Sequence, residues 1–221
     1  MEAALYNANP EVIRTLVEVG ANVNARNDSG DGVLSWAVLN NENLAVIRTL
    51  IAYGADVNAR DYSGKTVLMR AATFNNNPDI IKELISAGAN VNARDDQGTT
   101  ALMPAASFND NPEVIKVLLS AGADINAKEA SGLTALMFAA SFNDNPEVIK
   151  TLIYEGADIN ARDEGGVTPL MTAAGFNENP EVIRTLIEAG ADVTAKDRSE
   201  ETALDLSRKM NILRTLTHTG S

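Results

Sequence analysis

The sequence predicts a mainly α solenoid: one array of stacked helix–loop–helix units joined by β-hairpin or turn tips. Three observations predict it. AASFNDNPEVIK occupies residues 105–116 and recurs unchanged at 139–150, 34 positions later. Asn-Pro-acidic stands at Asn9-Pro10-Glu11, Asn77-Pro78-Asp79, Asn111-Pro112-Glu113, Asn145-Pro146-Glu147 and Asn179-Pro180-Glu181, with Asn43-Leu44-Ala45 in register but lacking the Pro. A third marker, G-A-[DN]-[VI]-[NT]-A, starts at Gly20, Gly54, Gly88, Gly122, Gly156 and Gly190. A fixed period of this length is the mark of a repeat architecture, in which each unit buries its apolar face only against its neighbours.

One unit, from Gly88, reads GANVNARDDQGTTALMPAASFNDNPEVIKVLLSA. Its middle, T-A-L-M-x-A-A, has apolar residues at helical spacing and opens with Thr, a good N-cap. Pro104 falls at about the fourth position of that helix, where a missing N–H is expected to be tolerated. The end, N-P-E-V-I-K-V-L-L, is a second helix with Asn111 as N-cap, Pro112 at the first helical position and Glu113 at the positive end of the dipole. Gly122 stands where a left-handed terminating residue belongs. The polar stretch N-A-R-D-D-Q-G-T between units suits a β-turn or hairpin.

The whole chain, 1–221, is expected to be a single array. Residues 1–19 form a partial first unit, 20–53, 54–87, 88–121, 122–155 and 156–189 are full units, and 190–221 is a C-terminal cap. Shifted by one period, Ala3, Ala4, Leu5 and Tyr6 fall on Ala37, Val38, Leu39 and Asn40, so the chain is expected to begin inside a first helix. The last unit is more polar, with Glu200 in place of the tip Gly and Asp205, Arg208, Lys209 and Asn211 after it, as a solubilising cap requires.

Composition narrows the function. The 221 residues are 45% hydrophobic and 22% charged, as in a folded protein. With 18 basic against 30 acidic side chains and a net charge of -12, the chain is a poor partner for nucleic acid or anionic lipid. There is no Cys, which removes thiolate metal sites, and the only His, His218, lies on the last cap and is read as solvated surface rather than as the base of a nucleophilic triad. No apolar run approaches the ~18 residues of a spanning helix. MEAALYNANP lacks the basic and apolar regions of a secretory leader, so a cytoplasmic setting is the default, with nuclear or effector roles open.

Two motifs are weighed and set aside. Ser63-Gly64-Lys65-Thr66 ends like a phosphate loop, but Ala59 stands where its first Gly belongs and the strand–loop–helix context is missing. Asn27-Asp28-Ser29-Gly30-Asp31-Gly32 faintly suggests a calcium loop, but its twelfth position is Val38 rather than Glu. Glu11, Asp79, Glu113, Glu147 and Glu181 are explained by helix N-termini. No catalytic, metal or cofactor site is expected, and the chain is not expected to be an enzyme.

The motif TVLMRAA from Thr66, TALMPAA from Thr100, TALMFAA from Thr134 and TPLMTAA from Thr168 resembles the T-P-L-H-x-A core of the ankyrin repeat, a unit of about 33 residues with a β-turn and two helices. The resemblance spans essentially the full chain. Met69, Met103, Met137 and Met171 replace the family His, the period is one residue longer, and GVLSWAV from Gly32 lacks the Thr cap. It implies a protein-interaction module binding a protein or peptide through a concave face made of hairpin tips and first helices. The alternatives are a structural or self-associating scaffold, or the ankyrin part of a larger protein whose activity lies elsewhere. A monomer is expected, with weak self-association through the N-terminal unit as the competing possibility.

Columns that repeat are read as holding the stack and columns that vary as free to recognise. The variable tip positions are Asp28, Tyr62, Asp96 and Glu164, and Asp31, Lys65, Thr99, Leu133 and Val167. In the first helix they are Trp36, Arg70, Pro104, Phe138 and Thr172. The resemblance places these residues on the concave face. The tip column Arg26, Arg60, Arg94, Lys128, Arg162, Lys196 is followed by Asn27, Asp61, Asp95, Glu129, Asp163 and Asp197, and is read as ion pairing between adjacent tips, with partner contact as the alternative. Tyr6, Phe74, Phe108, Phe142 and Phe176 form a ladder broken by Asn40, either an aromatic strip in the groove or inter-repeat packing that anchors the longer loop. Packing is preferred, because an exposed aromatic stripe invites aggregation.

Overall fold

A computed structural model describes residues 7–209; the expectations for Ala3 to Tyr6, Asn211 and His218 lie outside them. The helices are α1 (Pro10–Glu18), α2 (Val33–Asn40), α3 (Leu44–Ala52), α4 (Val67–Phe74), α5 (Pro78–Ser86), α6 (Leu102–Phe108), α7 (Pro112–Ser120), α8 (Ala135–Phe142), α9 (Pro146–Tyr154), α10 (Pro169–Phe176) and α11 (Pro180–Glu188). Helical residues also follow at 203–209. First helices stack on first helices (α2, α4, α6, α8, α10) and second helices on second helices (α1, α3, α5, α7, α9, α11), giving a two-layer helical solenoid.

The helix boundaries follow from local chemistry. Each of Asn9, Asn43, Asn77, Asn111, Asn145 and Asn179 accepts a hydrogen bond from the backbone N–H two residues on, so Asn43 caps α3 without a Pro behind it. The second helices close in a Schellman arrangement: the Gly88 N–H bonds the Ile85 carbonyl and the Ala89 N–H bonds the Leu84 carbonyl. Gly88 is at φ 95, a conformation that costs a Cβ-bearing residue energy. Glu200 adopts φ 64 where earlier tips carry Gly, the one such non-Gly residue described.

The core lies between the layers. Leu68, Leu102, Leu136 and Leu170 from first helices meet Ile81, Ile115 and Ile149 from second helices, all buried. The Ala-Ala pairs Ala71-Ala72, Ala105-Ala106 and Ala139-Ala140 are fully buried, and their small side chains let neighbouring first helices approach closely. Thr66, Thr134 and Thr168 cap their helices by accepting from the N–H of Met69, Met137 and Met171. The Sδ of Met69 and of Met171 in turn accepts from the cap N–H, a weak reciprocal bond.

Of the two forms expected for the tips, hairpin and turn, the structure shows the turn, and the expectation for Pro104 needs correction. Among the described residues the tips contain no strand; only the bridges Arg26–Gly32 and Arg60–Thr66 form. Each tip is a tight turn closed by the side chain of its own Asn27, Asp61, Asp95, Glu129, Asp163 or Asp197. Pro104 is less neutral than expected. Its counterparts Trp36, Arg70, Phe138 and Thr172 donate their N–H to the carbonyl four residues back, that of Gly32, Thr66, Thr134 and Thr168. Pro104 cannot. The first turn of α6 is displaced, the helix begins at Leu102, and the buried Thr100 hydroxyl has no hydrogen-bond partner.

Candidate groove between tips and first helices

A groove of about 500 Å³ runs between the tips and the first helices of the central units. Lys65, Gln97 and Thr99 line its tip side, Arg70, Pro104 and Phe138 its floor, and Phe74 and Phe108 its other side. Spacing explains the grouping: residues 70 and 74, or 104 and 108, are one helical turn apart and share a face.

On the tip side the polar groups are engaged internally. The basic column does not form ion pairs between adjacent tips. Instead each cation donates to the backbone carbonyl of the next member: Arg26 to Arg60 at 2.5 Å, Arg60 to Arg94 at 2.5 Å, Arg94 to Lys128 at 2.8 Å, Lys128 to Arg162 at 2.8 Å and Arg162 to Lys196 at 2.7 Å. The last, Lys196, pairs with Glu200. The acidic column is equally occupied. Asp61 accepts from the Ser63 and Lys65 amides, and Glu129 from those of Ser131 and Leu133. Burial works against ionising either group, but these hydrogen bonds, with the Ser63 and Ser131 hydroxyls and Arg70, prevail and hold both carboxyls below the usual range. The Ser63 and Lys65 amides therefore serve Asp61 rather than an external anion. Backbone bonds join successive tips as well: the amides of Tyr62, Asp96, Ala130, Glu164 and Arg198 donate to the preceding tip, leaving the Tyr62, Asp96 and Glu164 side chains exposed.

Arg70 ties two units together. Its Nη2 lies 2.5 Å from the Asp31 carboxylate and 2.7 Å from that of Asp61, with both acids below a tenth exposed. Arg70 Nε is buried without a partner. This is a largely desolvated clamp, not a free cation offered to a ligand. Lys65 is the groove's exposed cation and forms no ion pair among the described residues.

The far side is built on Asn. Asn109 and Asn143 are buried; Asn143 donates to the carbonyls of Ala106 and Asn109 and accepts from the Asn145 amide. The next column, Asn111, Asn145 and Asn179, reaches back to the carbonyls of Asn76, Asp110 and Asp144. These amides, not the Phe column, anchor the longer loop. Phe74, Phe108, Phe142 and Phe176 are 57–62% exposed, so the column forms an exposed aromatic strip, and packing between units is seen in it only at one pair. Phe108 and Phe142 stack with centroids 6.1 Å apart.

Of the fourteen candidate positions, Lys65, Arg70, Thr99, Pro104 and Phe138 share this groove. Asp28, Tyr62, Asp96 and Glu164 are exposed at tip apices, and Leu133 and Val167 are half-buried outside it. The Tyr62 ring lies against Gly30, within 2.9 Å of where a Cβ would stand. Trp36 is half-buried, with an unpartnered Nε1. Two positions are not surface at all. Asp31 is bound to Arg70, and the Thr172 hydroxyl donates to the Pro169 carbonyl inside α10. Phe74, Phe108 and Gln97 are groove residues that the variability rule missed; for the two Phe, the helical-turn offset from positions 70 and 104 was the signal that could have found them.

No helix among the described residues is long and apolar enough to cross a membrane. None of the curated proteins shows a significant match to the chain. A family model described as Ankyrin repeats (3 copies) matches residues 1–95, 34–129, 68–163, 102–197 and 136–218 in overlapping succession. With the paired helices, the turn tips and the Thr caps of α4, α8 and α10 in place, the chain belongs to the ankyrin-repeat family, whose repeats are generally protein–protein interaction modules.

Proposed function

We propose that the chain is a non-enzymatic recognition module that binds a protein or peptide segment through its concave face, along the groove of the central units. The supporting observation is that the variable floor positions Arg70, Pro104 and Phe138 lie beside two exposed aromatic side chains, Phe74 and Phe108, in one continuous trough. Contiguous exposed apolar surface on a water-facing helix layer marks an interaction site, and aromatic side chains contribute disproportionately to binding energy. The division of labour is physical: the repeated Phe column supplies apolar area to any ligand, and the changing floor supplies selectivity. Asp31 and Arg70 act here through the shape of the trough, since each already holds the other.

The test is selection of peptides from a random displayed library on the immobilised chain, followed by affinity measurement. Phe138→Ala, which removes a floor ring, and separately Thr99→Arg, which fills the tip side, are each expected to weaken the selected peptides by about tenfold. Unchanged affinity in both variants refutes the groove as the site. Light scattering on the free chain checks the self-associating alternative; a mass that rises with concentration favours it.

A further inference from the structure

We propose that the loop side of the groove is a docking strip for an extended basic peptide with Lys or Arg at alternate positions, an inference that rests on the peptide-binding reading above. The Phe column repeats like the core columns, yet Phe108 and Phe142 are 61% and 57% exposed, so burial in the stack does not account for their presence. Each is followed by a buried Asn in extended conformation: Asn109 at φ -100 and ψ 116, Asn143 at φ -96 and ψ 119. Phe108 and Asp110, and likewise Phe142 and Asp144, are thus exposed side chains two residues apart on either side of a buried Asn. Both carboxylates are exposed and have no hydrogen bond or ion pair among the described residues.

An exposed ring two residues from an unpaired carboxylate suits a cation. The ring quadrupole attracts Arg or Lys, and the carboxylate accepts a charge-assisted hydrogen bond. The spacing selects the peptide's conformation. The Phe108 and Phe142 centroids are 6.1 Å apart, and two residues of strand, whose alternate side chains share a side, advance by about 6.4–6.8 Å. A strand running along the array places alternate side chains over these two rings. The net charge of -12 steers such a peptide inward, the Arg70 cation is already neutralised by Asp31 and Asp61, and Lys65 stands on the opposite, tip side.

Fluorescence anisotropy with a labelled peptide of alternating Arg and Ser tests this, against a block peptide of the same composition. The alternating peptide is expected to bind about tenfold tighter than the block peptide, and Phe108→Leu with Phe142→Leu, which keeps apolar bulk but removes the ring faces, to erase about tenfold of its affinity. Asp110→Asn with Asp144→Asn is expected to weaken binding and flatten its salt dependence. Equal affinity for the two peptides, or no loss in the Leu variant, overturns the inference and leaves only general charge attraction. If the Leu variant melts lower than the parent, the Asn variant decides alone. Library-selected peptides that lose affinity on Phe138→Ala but carry no alternating cations refute this inference and leave the groove reading standing; peptides insensitive to both Phe138→Ala and Thr99→Arg refute both.

Discussion

Arg70 and Phe138 occupy the same place in their units, two copies apart, and the surroundings of each explain the other. Thirty-nine residues before Arg70 stands Asp31, and nine before it Asp61; both carboxylates close on the guanidinium. The corresponding residues for Phe138 are Thr99 and Glu129. Thr99 carries no charge, and Glu129 is occupied by Ser131 and the Leu133 amide. A charged floor beneath a charged tip therefore becomes a clamp between units, whereas a neutral tip leaves the floor open. The clamp is imperfect, because Arg70 Nε is buried and unpartnered. Desolvation of all three groups offsets much of the attraction, so the arrangement fixes how two units sit more than it adds net stability.

The sharpest way to break this contrast is Arg70→Met. It leaves two nearly buried carboxylates without a cation and is expected to cost about 3 kcal/mol, read as a lower denaturation midpoint and faster hydrogen exchange in residues 54–87. Asp31→Asn added to it should recover part of the loss by removing one of those charges. Acid gives a smaller effect with a definite sign. The Asp61 carboxyl is held below the usual range when folded. Its ionised form thus contributes stability that is full above the ordinary aspartate range and is lost as pH falls through and below that range. The difference between the parent chain and Arg70→Met should accordingly shrink on acidification; a difference that grows would contradict the clamp. Smaller again is Pro104→Ala, at the copy between the two. Restoring the bond from residue 104 that the other copies make, where the Thr100 carbonyl now accepts only from the Met103 N–H at 3.3 Å, should stabilise the array by about 1 kcal/mol, seen as a raised melting temperature.

Much of the fold was legible because its signals act over one to five residues. Asn111 with Pro112 and Glu113, Thr134 with Met137, and Gly88 with Ala89 each state a helix end within a single turn of chain. The groove was legible in part. Variation across copies found Lys65, Thr99, Pro104 and Phe138. It also selected Asp31 and Thr172, since a position may vary because its buried partner varies: Asp31 answers to Arg70. Repetition misled in the opposite direction at Phe108 and Phe142, where a column that is Phe in four successive copies faces water. The basic tip column was read with the right neighbours and the wrong acceptor, because a formal charge in sequence does not reveal a carbonyl 34 positions away.

The sequence by itself determined the period, the helix ends and the composition of the core, because caps, turns and apolar spacing are interactions within a unit. Only the tertiary structure decided which side chains were left over. The carbonyl ladder of the tips, the Arg70 clamp, the Asn bridges beneath the loops and the exposure of the Phe column all depend on how one copy sits on the next. That distance and angle are set by the close approach of Ala-Ala pairs on neighbouring first helices, a property of packed surfaces rather than of any one stretch of chain.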